Sequence, residues 1–389
     1  YANGYYARIK DALWDMLDVP CLTAETLQEY AERHTVCPFE LGLDSSLWSD
    51  VIIGDYNYLF DPVVHLVRFF ESAGDYIFLV DEAHNLPGRA REMHSAALTK
   101  TSFYEAKKLL GKGKSSLKNA LTKVNDVFIE WRHRAEEEAA AGDGRFGKTF
   151  FLKKRSEEFD RLLNHLCEPL EAWLDDHREP DETHTALLQL YFDVRAWLRV
   201  ADTFDDHFVL QITASGSEVR ATQLCLDPSA FLADSFALGR AAVLFSATLA
   251  PASYYKDLCG VPEARAVALR SPFPAGNQGL FCIGNVSTRY KDRDASLAIV
   301  AESLATMVRA HCGNYLAFFP SYAYMEQAYA QFKEHCPEIN CIKQESAMDE
   351  QQKAAFLAQF VPGPSQTLLA FAVMGGVFGE GVDIGRAHV

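Results

Sequence analysis

Two adjacent acids, Asp81 and Glu82, close a run of four apolar residues, Ile77–Val80, in the segment Asp-Tyr-Ile-Phe-Leu-Val-Asp-Glu-Ala-His at 75–84. A short apolar run with a β-branched residue at each end reads as a strand buried on both faces of a parallel sheet. Acids at its carboxyl end stand where open α/β sheets bind ligands. Asp81 can there hold a Mg²⁺ ion that bridges phosphates, and Glu82 can orient or deprotonate an attacking water. A buried strand ending in an ordinary polar loop has the same local pattern.

Other stretches carry chemistry of related kinds. Ala-Ala-Val-Leu-Phe-Ser-Ala-Thr at 241–248 is a second apolar run, ending in the hydroxyls of Ser246 and Thr248, which can hydrogen-bond across to the acids or cap a helix. Met-Gly-Gly-Val-Phe-Gly-Glu-Gly-Val-Asp at 374–383 gathers glycines with Glu380 and Asp383; glycines such as Gly376 and Gly381 allow close backbone approach to a ligand, and Asp383 can accept from a sugar hydroxyl. Tyr56, Tyr58 and Phe60 form an aromatic segment able to stack on bases or simply to pack. Cys37 precedes Pro38 at a helix end; a metal or cluster needs about three more ligands, and no CxxC occurs. Residues 142–149, Gly-Asp-Gly-Arg-Phe-Gly-Lys-Thr, fit a phosphate-loop pattern. That mechanism needs a strand entering the loop and a helix leaving it. Here a charged helix enters and an aromatic, basic segment leaves, so the expectation is a flexible loop whose Arg145, Lys148, Lys153, Lys154 and Arg155 make a basic patch.

The elements that must position these groups follow from periodicity. Residues 1–45 read as helical, with Thr23 as a helix N-cap. Residues 51–53 read as a short strand and 63–71 as a short helix. From about 100 to 206 the chain is charged and helical, with Leu162, Leu163, Leu166, Leu170 and Trp173 at helical spacing, an insertion into an α/β pattern. Residues 207–226 read as a hairpin turning at Ser215-Gly-Ser. Prolines 262, 272 and 274 with Gly276 mark a linker at 262–278. Beyond it, strands at 279–286, 314–319, 338–343 and 366–373 alternate with helices, which means a second parallel sheet.

The chain has 389 residues, 49% of them hydrophobic and 12% aromatic, enough for two or three cores. No apolar run approaches the roughly 18 residues of a membrane span. Net charge is −16, so a broadly basic surface is absent; a local groove with aromatic stacking remains open to a single strand. Most of the nine scattered cysteines, such as Cys225, Cys259 and Cys282, sit in apolar stretches and read as buried thiols of a reducing, cytoplasmic setting.

In order and spacing, Asp-Glu-Ala-His at 81–84, Ser-Ala-Thr at 246–248, Phe-Phe-Pro-Ser at 318–321 and Gly-Gly-Val-Phe-Gly-Glu-Gly-Val-Asp at 375–383 resemble the motifs of superfamily 2 helicases, more narrowly the XPD/DinG branch with its iron–sulfur and helical Arch domains. The resemblance implies an α/β fold: two RecA-like parallel-sheet motor domains, both incomplete, with an inserted all-helical Arch-like domain and the tail of an iron–sulfur domain. The expected divisions are 1–45 (iron–sulfur tail), 46–99 and 207–275 (first motor), 100–206 (Arch-like) and 276–389 (second motor). It implies an ATP-dependent DNA helicase of repair or replication, moving 5′→3′ on single-stranded or forked DNA as a monomer. ATP, Mg²⁺ and a [4Fe–4S] cluster are the implied cofactors. Asp81 would bind Mg²⁺, Glu82 the attacking water, and His84 with Ser246 and Thr248 would couple hydrolysis to movement. Gly376, Glu380, Gly381 and Asp383 would contact nucleotide or DNA. Tyr56, Tyr58, Phe319 and Ser321 would lie along the strand, and Cys37 would be one cluster ligand.

Gly379 stands where the family usually has Ser. No credible phosphate loop precedes Asp81 and no arginine-finger motif follows Asp383, so the expectation is truncation at both ends and no ATP hydrolysis by these residues alone. Two rivals follow: a nucleic-acid-binding protein without its own motor, and a phosphate-loop enzyme using 142–149.

Overall fold

A computed structural model describes residues 4–113, 115–141, 147–272, 274, 276, 279–287, 289–379 and 382. The chain divides into two compact units, Tyr1–Ala268 and Leu269–Val389, and the boundary falls inside the stretch read as a linker.

The first unit begins with three helices, Tyr5–Asp15, Ala24–His34 and Pro38–Ser46. Thr23 caps the second by accepting from the Thr26 backbone N–H at 3.2 Å. Ile9, Ala12, Met16, Ala31, Val36 and Leu41 close a small core between them.

Strand β1 (Ile77–Val80) pairs in parallel with β6 (Ala241–Leu244), Val80 opposite Leu244. Backbone bonds from Gly74 to Leu238 and from Arg240 to Tyr76 extend the approach below the pair. Gly239 permits it: a Cβ there would lie 2.4 Å from the Phe78 ring. One face of the pair joins a core with Phe60, Ala83, Leu86, Ala90, Leu232, Phe236 and Cys259. The other face is open, with Ile77 59% and Leu79 69% exposed. Burial on both faces, expected of β1, is therefore not found among the described residues. Nor is a strand at 51–53, where Ile53 is 95% exposed.

The insertion is not all-helical. Its helices, including Ser116–Ala141, Glu157–Asp176 and Glu182–Thr203, share one core with a four-stranded antiparallel sheet. The order is β2 (Ala96–Thr99), β5 (Glu218–Cys225), β4 (Phe208–Ser215), β3 (Thr149–Leu152). The 207–226 hairpin exists as expected but packs here, through β2 and β3, rather than with the β1–β6 pair. Alternate residues Phe208, Leu210, Ile212 and Ala214 face the helices, so the hairpin's apolar face is satisfied by this core. Phe128, Phe159 and Trp197 interlock edge to face, with centroids 5.4 Å apart at each step. Trp197 donates its indole N–H to buried Asp160 at 2.9 Å.

In the second unit a parallel sheet runs β7 (Asn314–Phe319), β9 (Leu368–Val373), β8 (Asn340–Lys343). Central β9 is buried along its whole length, as a continuous apolar run in a parallel sheet should be. Helices Arg293–Ala310 and Tyr322–His335 cover one face through Ala301, Ala305, Met325 and Phe332. No strand occupies the described residues of 279–286, contrary to expectation; Leu280 and Phe281 are exposed. Cys225 and Cys259 are buried, and burial pushes both thiols up to about 11, whereas Cys282 is exposed.

Candidate active site at two parallel strand ends

The register of β1 with β6 delivers Asp81 and Phe245 side by side. The Phe245 N–H bonds the Val80 carbonyl at 3.0 Å, and the Ala83 N–H bonds the Phe245 carbonyl at 3.1 Å. Ala83 is fully buried and anchors the turn, with Asp81 exposed and Glu82 half-buried before it. The helix Leu86–Met93, begun with Pro87 and buried through Leu86 and Ala90, fixes the far side of this turn.

Glu82 holds a left-handed backbone, φ 45°, uncommon for a residue with a side chain. Its N–H donates to Asp81 Oδ1 at 2.7 Å. The geometry aims the Glu82 carboxylate at the β6 end, where Ser246 Oγ donates to Oε2 at 3.3 Å. His84 Nδ1 lies 2.8 Å from Ser246 Oγ and 3.2 Å from Glu82 Oε2. Thr248 donates its N–H to Ser246 Oγ at 3.1 Å and sets its hydroxyl 3.4 Å away. Glu82, His84, Ser246 and Thr248, taken from two separate motifs, thus form one hydrogen-bonded cluster. Asp81 is exposed beside it. Such a cluster can orient a nucleophile at Glu82, present Asp81 to a cation, and carry a change at either to the loop after β6.

Tyr56 donates its hydroxyl to the Asp81 carbonyl, tying the aromatic segment to the acidic turn. Phe60 is buried against Phe236, and Tyr58 is half-buried. In the second unit Phe319 is core, stacked on Phe371 at 5.7 Å, so its ring is not presented for base stacking. Ser321 does stand at a strand end: it caps the Tyr322–His335 helix and accepts from Arg293 Nη1 at 3.1 Å. Gly376 lies in the turn after β9. Glu380, Gly381 and Asp383 lie outside the described residues.

Cys37 is a half-buried N-cap of the Pro38–Ser46 helix. Among the described residues no group of three or more His, Cys, Asp or Glu side chains is gathered for a metal ion. The phosphate-loop pattern also lacks its structural context: Thr149 begins a strand, not a helix, and Lys148 Nζ sits 3.1 Å from Glu136. In the basic patch Arg155 donates to the Ala201 carbonyl, while Lys153 and Lys154 are exposed. No helix among the described residues is long and apolar enough to cross a membrane.

Known proteins resemble this chain in sequence. The DEAD_2 family matches residues 4–103, and the Helicase C-terminal domain family matches 304–389. The general transcription and DNA repair factor IIH helicase subunit XPD of Schizosaccharomyces pombe is 23% identical, over 90% of this chain and 52% of its own length. The ATP-dependent DNA helicase CHL1 of Coccidioides immitis is 20% identical, over 92% and 47%. A regulator of telomere elongation helicase 1 homolog of Caenorhabditis elegans is 27% identical over 38% of this chain and 14% of its own length. The chain thus spans about half the length of the relatives it matches end to end. Together these matches show that most of the chain is similar in sequence to XPD-type and CHL1-type DNA helicases.

Proposed function

We propose that the full-length protein is an ATP-dependent DNA helicase of the repair type, and that the cluster at Glu82 is its hydrolytic half-site. One observation carries this reading: Glu82 and His84 meet Ser246, a residue 164 positions from Glu82 in sequence, in a single hydrogen-bonded group beside exposed Asp81. An isolated polar loop end has no need of that convergence.

On this reading Asp81 would hold a Mg²⁺ ion beside the nucleotide's phosphates, where the ion would supply charge neutralisation for phosphoryl transfer. Glu82 holds the attacking water and accepts its proton. Its tilt toward β6 lets Ser246 and His84 register its protonation state, and Thr248 passes that to the following loop. Tyr56 holds the carbonyl under Asp81, keeping the carboxylate's root fixed as the cluster changes. In the second unit Ser321 would lie along single-stranded DNA and Gly376, with Glu380, Gly381 and Asp383, would contact nucleotide or DNA, and movement is 5′→3′. By the family resemblance, Cys37 would be one of the ligands of a [4Fe–4S] cluster.

The test measures ATP hydrolysis by the full-length protein with and without single-stranded DNA. Hydrolysis that rises with DNA and vanishes in Glu82→Gln is expected. Hydrolysis unaffected by DNA, or surviving that substitution, sinks the reading.

A further inference from the structure

Gln344 follows β8 directly and is 2% exposed, the one buried uncharged amide side chain in the second unit's described core. Its backbone N–H continues the ladder to the Phe371 carbonyl at 2.8 Å. Its side chain bridges two different strand ends. Oε1 accepts from the Val373 N–H at 3.0 Å, where β9 gives way to the glycine turn. Nε2 donates to the Tyr322 hydroxyl at 2.9 Å, just past β7.

The amide's orientation is dictated by chemistry. A backbone N–H can only donate, so the carbonyl oxygen must face Val373 and the NH₂ must face Tyr322. The Tyr322 oxygen is therefore an acceptor toward Gln344, and its own proton points elsewhere. Tyr322 is 36% exposed, adjoining Ser321 and its Arg293 partner. On the other side the glycine turn rests on the same amide. A Cβ at Gly376 would come within 2.9 Å of Nε2, and Gly375 sits at φ 70°.

We infer that Gln344 is a positioning residue that ties two contacts together: it aims the Tyr322 hydroxyl as a donor to a phosphate oxygen of single-stranded nucleic acid, and it fixes the start of the glycine turn. This rests on the reading above that the Ser321 segment lies along a DNA strand and the glycine turn contacts nucleotide. The buried amide cannot let go of one end without stranding a polar group, so displacement of Tyr322 by a strand is felt at Val373.

Two variants of the full-length protein probe the two ends of this link. Tyr322→Phe removes the hydroxyl and leaves Gln344 Nε2 without its acceptor: affinity for an oligo-dT strand, read by fluorescence anisotropy, falls about tenfold, as for loss of one hydrogen bond to a charged group, and KM for ATP rises less than in Gln344→Met. Gln344→Met keeps the volume but loses both ends: oligo-dT affinity falls similarly and KM for ATP rises. In the double variant oligo-dT affinity is no lower than in Gln344→Met alone, because the two act as one unit. Tyr322→Phe within twofold of wild type for oligo-dT overturns the inference, as does Gln344→Met lowering the melting temperature without moving either constant. Should Gln344→Met not fold, Tyr322→Phe decides alone. Wild-type protein that binds no oligo-dT overturns the functional reading and this inference with it. Wild-type binding with unchanged variants overturns only the inference.

Discussion

Glu82 combines a left-handed backbone with the site's central carboxylate, and substitutions can separate the two. Glu82→Ala and Glu82→Gly both delete the carboxylate and its contacts with Ser246 and His84; they differ in whether a Cβ must be carried at φ 45°. A side-chain-bearing residue in this region costs roughly 1–2 kcal/mol. Glycine loses roughly 0.5–1 kcal/mol more than alanine through its freer unfolded chain. The difference leaves Glu82→Gly more stable than Glu82→Ala by about 0.5–1 kcal/mol, or about 1–4 °C in Tm for a unit of this size. Glu82→Gln retains both strain and shape but cannot take a proton, so hydrolysis falls by about 10²–10⁴ while Tm stays with wild type. Thermal melts of the three variants, paired with ATP turnover by the full-length protein, read both quantities. Equal melting of the Ala and Gly variants would refute the strain, and Glu82→Gln within tenfold of wild-type turnover would refute the role of the carboxylate.

Three further outcomes are expected. Lys148→Ala leaves ATP turnover unchanged, since Thr149 opens a strand and Lys148 pairs with Glu136; a hundredfold loss would restore the phosphate-loop reading. Burial pushes the Asp160 carboxyl up, and its Oδ2 has no hydrogen-bond partner, so the charged form opposes folding at neutral pH and stability grows as pH falls through the raised value. Asp160→Asn, which keeps an acceptor for Trp197, therefore melts no lower than wild type at pH 7, while Asp160→Ala strands the indole N–H and costs about 1–3 kcal/mol by chemical denaturation. His94, stacked on Phe231 at 3.9 Å, has its pKa lowered by burial, against the pull of Asp61 and the Phe60 carbonyl. A depressed histidine contributes its stability above the unfolded value of about 6.5, and that stability is lost as pH falls below it. Melts between pH 8 and 5 should fall less steeply in His94→Phe; identical slopes would refute the assignment.

What the sequence disclosed and what it hid divide along one physical line. Features set by neighbours in the chain were legible: the apolar runs before Asp81 and Ser246, the Thr23 cap, the alternation of the 207–226 hairpin and the strand β9 itself. Features set by distant pairing were not. The hairpin's local pattern is the same whether it joins a motor sheet or the insertion, and only the pairing of β5 with β2 and of β4 with β3 decides for the insertion. The apolar β1 was read as doubly buried because apolarity records what a strand tolerates, not which neighbours cover it; Leu79 is 69% exposed in the described fold.

The same line runs through the candidate sites. Convergence of Glu82, His84, Ser246 and Thr248 was anticipated because each motif ends an apolar run, and parallel neighbours bring such ends to one edge. The second unit reversed the aromatic assignment: Phe319, the last residue of β7, faces Phe371 in the core, and the exposed ring belongs to Tyr322, three residues later and past the turn. A strand's alternation stops at Pro320, so facing cannot be carried across it by counting. Gln344 left no trace at all. One glutamine after a short strand resembles any surface glutamine, and its importance arises only because β8 lies beside β9 and its amide fits between Tyr322 and Val373. A buried amide spanning two strand ends is a property of the sheet's order rather than of any segment, and that is why the residue best placed to link the second unit's two candidate contacts is one that no motif contains.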